Sequence, residues 1–228
     1  MSNKKNKNGI PAISRQIAVY KTTTKLLEFL DKLNSAPLAN YAHIHAQSDD
    51  DGSGKRIYSL IGLILQDYSK GTGENTVRVT ANITPDEAQY IFSKIQNGAD
   101  TFEFSSEKIF GDKDGEGYSK VTKLKIMRAT VGSDGKSRKY PWYVECENGK
   151  GVSVKNATGG SYCKGGSYVG VNKVYLNLND LDFFRMLNRV SSYITVWESQ
   201  YGASLMINGR NELEAQYLEA AKNKDGAA

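Results

Sequence analysis

Apolar residues recur at every second position through three segments of this chain. In 121–126 Leu124 and Ile126 share one side while Lys123 and Lys125 take the other. In 137–147 Arg138, Tyr140, Trp142, Val144 and Cys146 alternate with Lys139, Tyr143 and Glu145, and in 171–178 Val174 and Leu176 oppose Lys173 and Tyr175. A period of two sends neighbours to opposite faces of a pleated strand, so these segments suit an antiparallel sheet with one apolar and one wet face. SDGK (133–136) and ENGK (147–150) supply the Asp, Asn and Gly of tight reversals between them.

The rest of the chain reads as strands punctuated by helices. Residues 16–20 form a short strand. Leu26, Leu27, Leu30 and Leu33 stand at helical spacing behind a run of Thr, which predicts a helix over 24–33 that ends before Pro37. Strands over 41–47 and 56–68 enclose an acidic, Gly-containing turn at 49–55 as a long hairpin. Residues 76–83 alternate, and Thr84, Pro85, Asp86 and Glu87 then open a helix that runs to about Gln96 and closes at Gly98. Strands follow at 101–110, 118–130, 137–147, 150–156 and 171–178. Asn179 and Asp180 cap a long helix carrying Leu181, Phe184, Leu187, Val190, Ile194 and Trp197 as far as Gly202, and 211–222 form a last amphipathic helix.

Two halves share this plan. Ile44, Arg56 and Tyr58 match Ile126, Arg138 and Tyr140 at an offset of 82, and Val77 and Asn82 match Val174 and Asn179 at an offset of 97. The offset changes where the tandem hexapeptides GGSYCK and GGSYVG (159–170) lie, as an insertion in the second copy would require. The expected fold is α+β: antiparallel sheets with helices, as two fused copies of a strand-meander-plus-helix unit. It divides into a flexible basic arm (1–15), a first β-rich unit with its helix (16–110), a second with the long helix (111–203), and a C-terminal helix and tail (204–228).

Charge is unevenly spread. Between Tyr118 and Tyr175 eleven Lys and Arg stand against three carboxylates, a net of about +8, which leaves the rest of a chain of formal charge +5 near −3. No stretch approaches the run of about 20 apolar residues that a membrane span needs. Cys146 and Cys163 are too few and too distant for a disulfide framework or a zinc site, which fits a reducing cytoplasm.

Few constellations suggest catalysis. His43 and His45 would share a strand face but lack a third ligand, so no metal and no cofactor is expected. DDDGSGKR (49–56) contains GSGK, yet a phosphate loop needs Gly where Asp49 stands and Ser or Thr where Arg56 stands; a solvated turn is the better reading. The chain is therefore expected not to be an enzyme. The basic segment offers Lys123, Lys125, Arg138, Lys139, Tyr143, Lys155, Lys173 and Tyr175, with Tyr162, Lys164 and Tyr168 in a Gly-rich loop above them. Cations attract phosphates and tyrosine rings stack on bases, a pairing suited to single-stranded nucleic acid. Trp142, in the company of Val144 and Cys146, belongs to the core instead.

Successive antiparallel strands followed by a helix, with a basic aromatic sheet face, resemble in organisation the Whirly-like single-stranded DNA-binding proteins. The resemblance spans 41–201 as two fused copies, with the acidic turn Asp49–Asp51 as a departure in the first. It implies a partner of single-stranded DNA or RNA, bound with little sequence preference, and a homo-oligomer. Contact with about five phosphates would give a log–log salt slope near −3.5 on single strands. Two other readings stay open. One is a self-assembling or protein-interaction subunit using Phe183, Phe184, Met186, Trp197 and Leu205; the other is a small hydrolase with converging carboxylates.

Overall fold

The computed structural model describes residues 14–40, 43–157 and 159–225. The arm expected over 1–15 lies outside them except for Ser14 and Arg15, as do Tyr41 and Ala42 of the expected strand 41–47 and the last three residues of the tail.

The first sheet is an antiparallel meander of β1 (Gln16–Lys21), β2 (Lys25–Lys32), β7 (Leu60–Asp67) and β8 (Val77–Ile83), in that order. Between β2 and β7 the chain makes an excursion through β3 (Ser35–Asn40) paired with β4 (His43–His45), and β5 (Gln47–Asp50) paired with β6 (Arg56–Tyr58). Helix α1 (Pro85–Gln96) follows. The second sheet repeats the pattern with β9 (Thr101–Phe110), β10 (Ser119–Ala129), β11 (Trp142–Gly151) and β14 (Val169–Leu178). A small hairpin of β12 (Ser153–Lys155) and β13 (Ser161–Cys163) interrupts it, and helix α2 (Asp180–Asp225) ends it. The class is α+β, as expected.

The alternating pattern holds within β10, β11 and β14. Leu124, Ile126, Trp142, Val144, Cys146, Val174, Leu176 and Leu178 are buried and meet Leu27, Phe29, Ile61, Leu63, Leu65, Val79 and Ile83 of the first sheet in one core, joined by Ile91 of α1 and Phe183, Leu187 and Val190 of α2. Helix α1 begins where its signals stand. Thr84 Oγ1 accepts the Glu87 N–H and the Glu87 carboxylate accepts the Thr84 N–H, a reciprocal cap with Pro85 at the first turn.

Several expectations are corrected. The helix over 24–33 is strand β2. Leu27 and Phe29 face the core opposite Leu65 and Leu63, while Leu26 and Leu30 lie on the other side. Leucines on both faces counterfeit a helical spacing, and pairing between β1 and β7 outweighs the weak helix preference of Leu, Lys and Glu. ENGK is no turn, since β11 runs through Gly151. Residues 137–141 precede that strand, so Arg138 and Lys139 belong to the β10–β11 loop, and 153–155 pair with β13 instead of extending the meander. Strand β9, assigned to the first unit, pairs with β10 in the second sheet, and the first sheet begins at Gln16, well before Tyr41.

The two helices expected after Asn179 are one. Gly202 does not stop α2; a Cβ there would lie 3.0 Å from Ile44 Cδ1, so glycine lets the β3–β4 arm approach the helix. The proposed residue matches also fail to coincide with the architecture. Ile44 sits in the excursion and Asn82 inside β8, whereas the true counterpart of the Asn179 cap is Thr84: Asn179 Oδ1 accepts the Asp182 N–H as Thr84 accepts that of Glu87. Of the apolar residues proposed for assembly, Phe183 and Met186 are buried in the core, and Trp197 stacks on His45 and packs at a tilt against Tyr201.

One polar node joins sheet to helix. Trp142 is fully buried, and its indole N–H donates to Asp180 Oδ1 at 2.7 Å. The Arg128 guanidinium grips the same carboxylate at 3.1 and 3.0 Å and also donates to the Ala99 carbonyl. Hydrogen bonds from Arg128, then from Trp142, hold the Asp180 carboxyl below its ordinary range despite partial burial. A depressed folded-state value means that stabilisation is complete above the ordinary carboxylate range and is lost as pH falls through the folded value. Asp180→Ala is expected to lower stability at neutral pH by about 2 kcal/mol, by leaving the indole N–H and a guanidinium without their acceptor. Urea unfolding should also show the variant losing less stability than the parent between about pH 5 and pH 3.

Candidate nucleic-acid interface

The outer face of the second sheet gathers six of the eleven residues singled out in the sequence. The strand register arranges them in rows across β9, β10, β11 and β14. One row reads Glu107, Lys123, Glu147, Lys173; the next reads Ser105, Lys125, Glu145, Tyr175; the third reads Glu103, Met127, Tyr143, Asn177. Tyr168, just ahead of β14, lies over the first row with Lys123 Nζ 3.9 Å from its ring centroid.

The other five residues fall elsewhere. Arg138 and Lys139 are in the loop between β10 and β11, where Arg138 N–H donates to the Thr130 carbonyl and Lys139 lies 5.5 Å from the Tyr140 ring. Lys155, Tyr162 and Lys164 belong to the β12–β13 hairpin, which packs beside β9. The GGSY segment is thus a paired hairpin for part of its length, not a loop draped over the sheet. Tyr162 is exposed on it, and Tyr168 packs down on the sheet.

Gly149 makes room for that packing. A Cβ there would stand 2.7 Å from Tyr168 Cε2 and would collide with the Val169 carbonyl, at the point where the β11–β14 register shifts. A β-bulge flanked by glycines therefore lets the tyrosine ring lie against the strand. Burial and the nearby Glu147 carboxylate push the Tyr168 hydroxyl well above its ordinary range. Tyr143 and Tyr175 stack on one another with centroids 5.5 Å apart at 30°.

Two features lay outside the basic segment. Lys25 reaches over from β2 of the first sheet, with Nζ 4.0 Å from the Tyr175 ring centroid and 2.7 Å from the Tyr175 carbonyl it donates to. Glu103 and Glu107 come from β9, and a charge count that begins at Tyr118 omits them. They change the electrostatics of the face. Lys123 pairs with Glu107 at 3.0 Å, Lys125 with Glu103 at 3.1 Å, and Lys173 with Glu145 at 2.8 Å. Burial alone would raise Glu145, but hydrogen bonds from Lys173 and Tyr143 outweigh it and hold the carboxyl low; Lys125 and Ser105 do the same for Glu103. Lys173 is correspondingly raised by its bond to Glu145. The lysines and glutamates form a near-neutral checkerboard at neutral pH.

The outer face of the first sheet differs. By the same register it presents Val19, Lys21, Leu26, Glu28, Leu30, Lys32, Ile64, Arg78 and Thr80, where the second sheet has its tyrosines. The acidic turn folds onto itself. Asp50 Oδ1 accepts the Gly52 and Gly54 N–H groups, and Asp51 Oδ1 accepts the Ser53 hydroxyl and the Ser53 N–H. His43 hydrogen-bonds Asp49, whereas His45 faces Ser59 and Glu198, so the two histidines do not converge. Among the described residues no three His, Cys, Asp or Glu side chains cluster as metal ligands, and no helix is long and apolar enough to cross a membrane.

No family model, curated protein or solved structure matches this chain.

Gly149→Ala is expected to destabilise the protein by about 1–3 kcal/mol, since the new methyl overpacks against Tyr168 and the Val169 carbonyl. The checks are the urea midpoint and the near-ultraviolet dichroism of the tyrosines.

Proposed function

We propose that this protein binds single-stranded nucleic acid, with DNA its expected ligand, on the outer face of the second sheet. The observation that carries the reading is the aromatic run of Tyr143 stacked on Tyr175, with Lys25 over the Tyr175 ring and Lys123 over Tyr168. Tyr175 is 46% exposed, so this aromatic and cationic cluster is reachable from solvent. Each base stacked on a tyrosine contributes about 1–3 kcal/mol with little regard to sequence. The plan of two meanders, each closed by a helix, supports kinship with the Whirly-like proteins and an origin by internal duplication.

The checkerboard refines the expected electrostatics. A phosphate must displace a glutamate to reach Lys123, Lys125 or Lys173, so the net phosphate term is small. Neutralising about two phosphates would give a log–log salt slope near −1.4, shallower than the −3.5 expected from counting lysines. Duplex keeps its base planes stacked within the helix, so a near-neutral face that relies on tyrosine stacking favours single strands.

A fluorescence anisotropy titration with single-stranded DNA, single-stranded RNA and duplex, each at two salt concentrations, tests this. Single strands should bind tighter than duplex, and Tyr143→Ala with Tyr175→Ala should weaken them at least tenfold in a variant whose far-ultraviolet dichroism shows the fold intact. Equal binding by the double variant, or tighter binding of duplex, overturns the reading.

One observation favours self-assembly as a second reading. From Arg210 to Lys222 every residue of α2 is exposed, and Ile207, Leu213, Tyr217 and Leu218 are 59, 49, 77 and 60% exposed. Helices owe most of their stability to packing of an apolar face. Sedimentation should then show a concentration-dependent oligomer that Leu213→Ser with Tyr217→Ser converts to monomer; a monomer at every concentration excludes it.

A further inference from the structure

A cavity lies away from the tyrosine face, between the excursion arm, the start of α1 and the middle of α2. It encloses about 670 Å³. Ile44, Leu60, Pro85 and Met206 supply apolar wall, and His45, Ser59 and Glu198 meet at one side. These three come from β4, from the joint between β6 and β7, and from α2. His45 Nδ1 lies 2.8 Å from Ser59 Oγ, and Nε2 lies 3.1 Å from Glu198 Oε1. The imidazole is clamped flat on the Trp197 indole, with centroids 5.0 Å apart at 16°.

Ser59 Oγ accepts the Asn34 N–H at 3.1 Å and has its own proton to donate. In the tautomer that carries its proton on Nε2, the imidazole donates to the Glu198 carboxylate and turns a bare Nδ1 to the serine. The hydroxyl thus donates to a ring nitrogen whose opposite N–H donates to a carboxylate. That is the order of nucleophile, base and orienting carboxylate that activates a serine.

We propose that Ser59 is an acyl-accepting nucleophile, with His45 its base and Glu198 the positioning residue, acting on small activated esters that fit the cavity. Ser59 Oγ attacks the carbonyl carbon and forms an O–C bond as its proton passes to His45 Nδ1; Glu198 holds the imidazolium. The bond to the leaving oxygen breaks, and that oxygen takes the proton from Nδ1. Water then attacks the acyl carbon, gives a proton to Nδ1, and Ser59 departs with it. No metal or redox partner is consumed. The early part of the chain places His45 far from Ser59 and Glu198, 14 and 153 residues away, so no spacing announces the group.

The test exposes the full chain to a fluorophosphonate probe, whose phosphorus bonds to the serine oxygen as fluoride leaves, and locates adducts by peptide mass spectrometry. The expected result is modification of Ser59 at least tenfold above any other serine, lost in His45→Gln. Glu198 has a side chain 40% exposed, so Glu198→Gln should preserve the fold and its unfolding midpoint yet slow labelling about tenfold or more. That variant decides the matter should His45→Gln fail to fold. Absence of a Ser59 adduct on the folded parent, or undiminished labelling of Glu198→Gln, overturns the proposal.

Discussion

The indole N–H of Trp142 has to be satisfied where water does not reach, and much of the architecture follows from how that is done. Its acceptor, Asp180, is the first residue of α2, so the hydrogen bond fixes where the helix starts relative to β11. Arg128 on the neighbouring β10 binds the same carboxylate and extends to the Ala99 carbonyl, which ties in the turn between α1 and β9. Phe183 packs on the indole with centroids 4.8 Å apart and Phe102 at 6.1 Å. A single buried ring and its polar partner therefore set the mutual positions of three strands and a helix.

Packing two sheets face to face leaves edges that need partners. Strand β8 is the edge of the first sheet, and at Thr80 the side chain of Asn148 stands in for a neighbouring strand: its Oδ1 accepts the Thr80 N–H and its Nδ2 donates to the Thr80 carbonyl, both at 2.8 Å. On the other side Lys25 donates to the Tyr175 carbonyl of edge strand β14. An unsatisfied edge invites pairing with another chain; here side chains from the opposite sheet occupy it. The same Lys25 also lies over the Tyr175 ring, so the contact that closes an edge helps to shape the aromatic face.

Local chemistry in the sequence was legible where it was complete in a few residues. Thr84 to Glu87 contain every partner of the α1 cap, and Leu124, Ile126, Trp142 and Val144 state their faces by alternation alone. What escaped was decided by neighbours distant in the chain. Leu26 and Leu30 look helical until β1 and β7 flank them, and Gly202 looks like a stop until Ile44 is seen against it. The tyrosine and lysine face was half visible for the same reason. Alternation placed Lys123, Lys125, Tyr143, Lys173 and Tyr175 together, but only the pairing of β9 with β10 reveals the glutamates opposite them.

Those glutamates bear on what such a face can distinguish. A sheet with unpaired lysines would attract any polyanion, and duplex, with its denser phosphates, at least as well as single strands. Compensating each lysine removes most of that indiscriminate term and leaves contacts that depend on exposed base planes. The carboxylates also hold the lysine ammonium groups in place along the rows beside the stacked Tyr143 and Tyr175. On the proposed reading, then, near-neutrality sacrifices affinity for selectivity: stacking decides what binds, and the first sheet carries Val19, Leu26, Leu30 and Thr80 where the second carries the stacked Tyr143 and Tyr175.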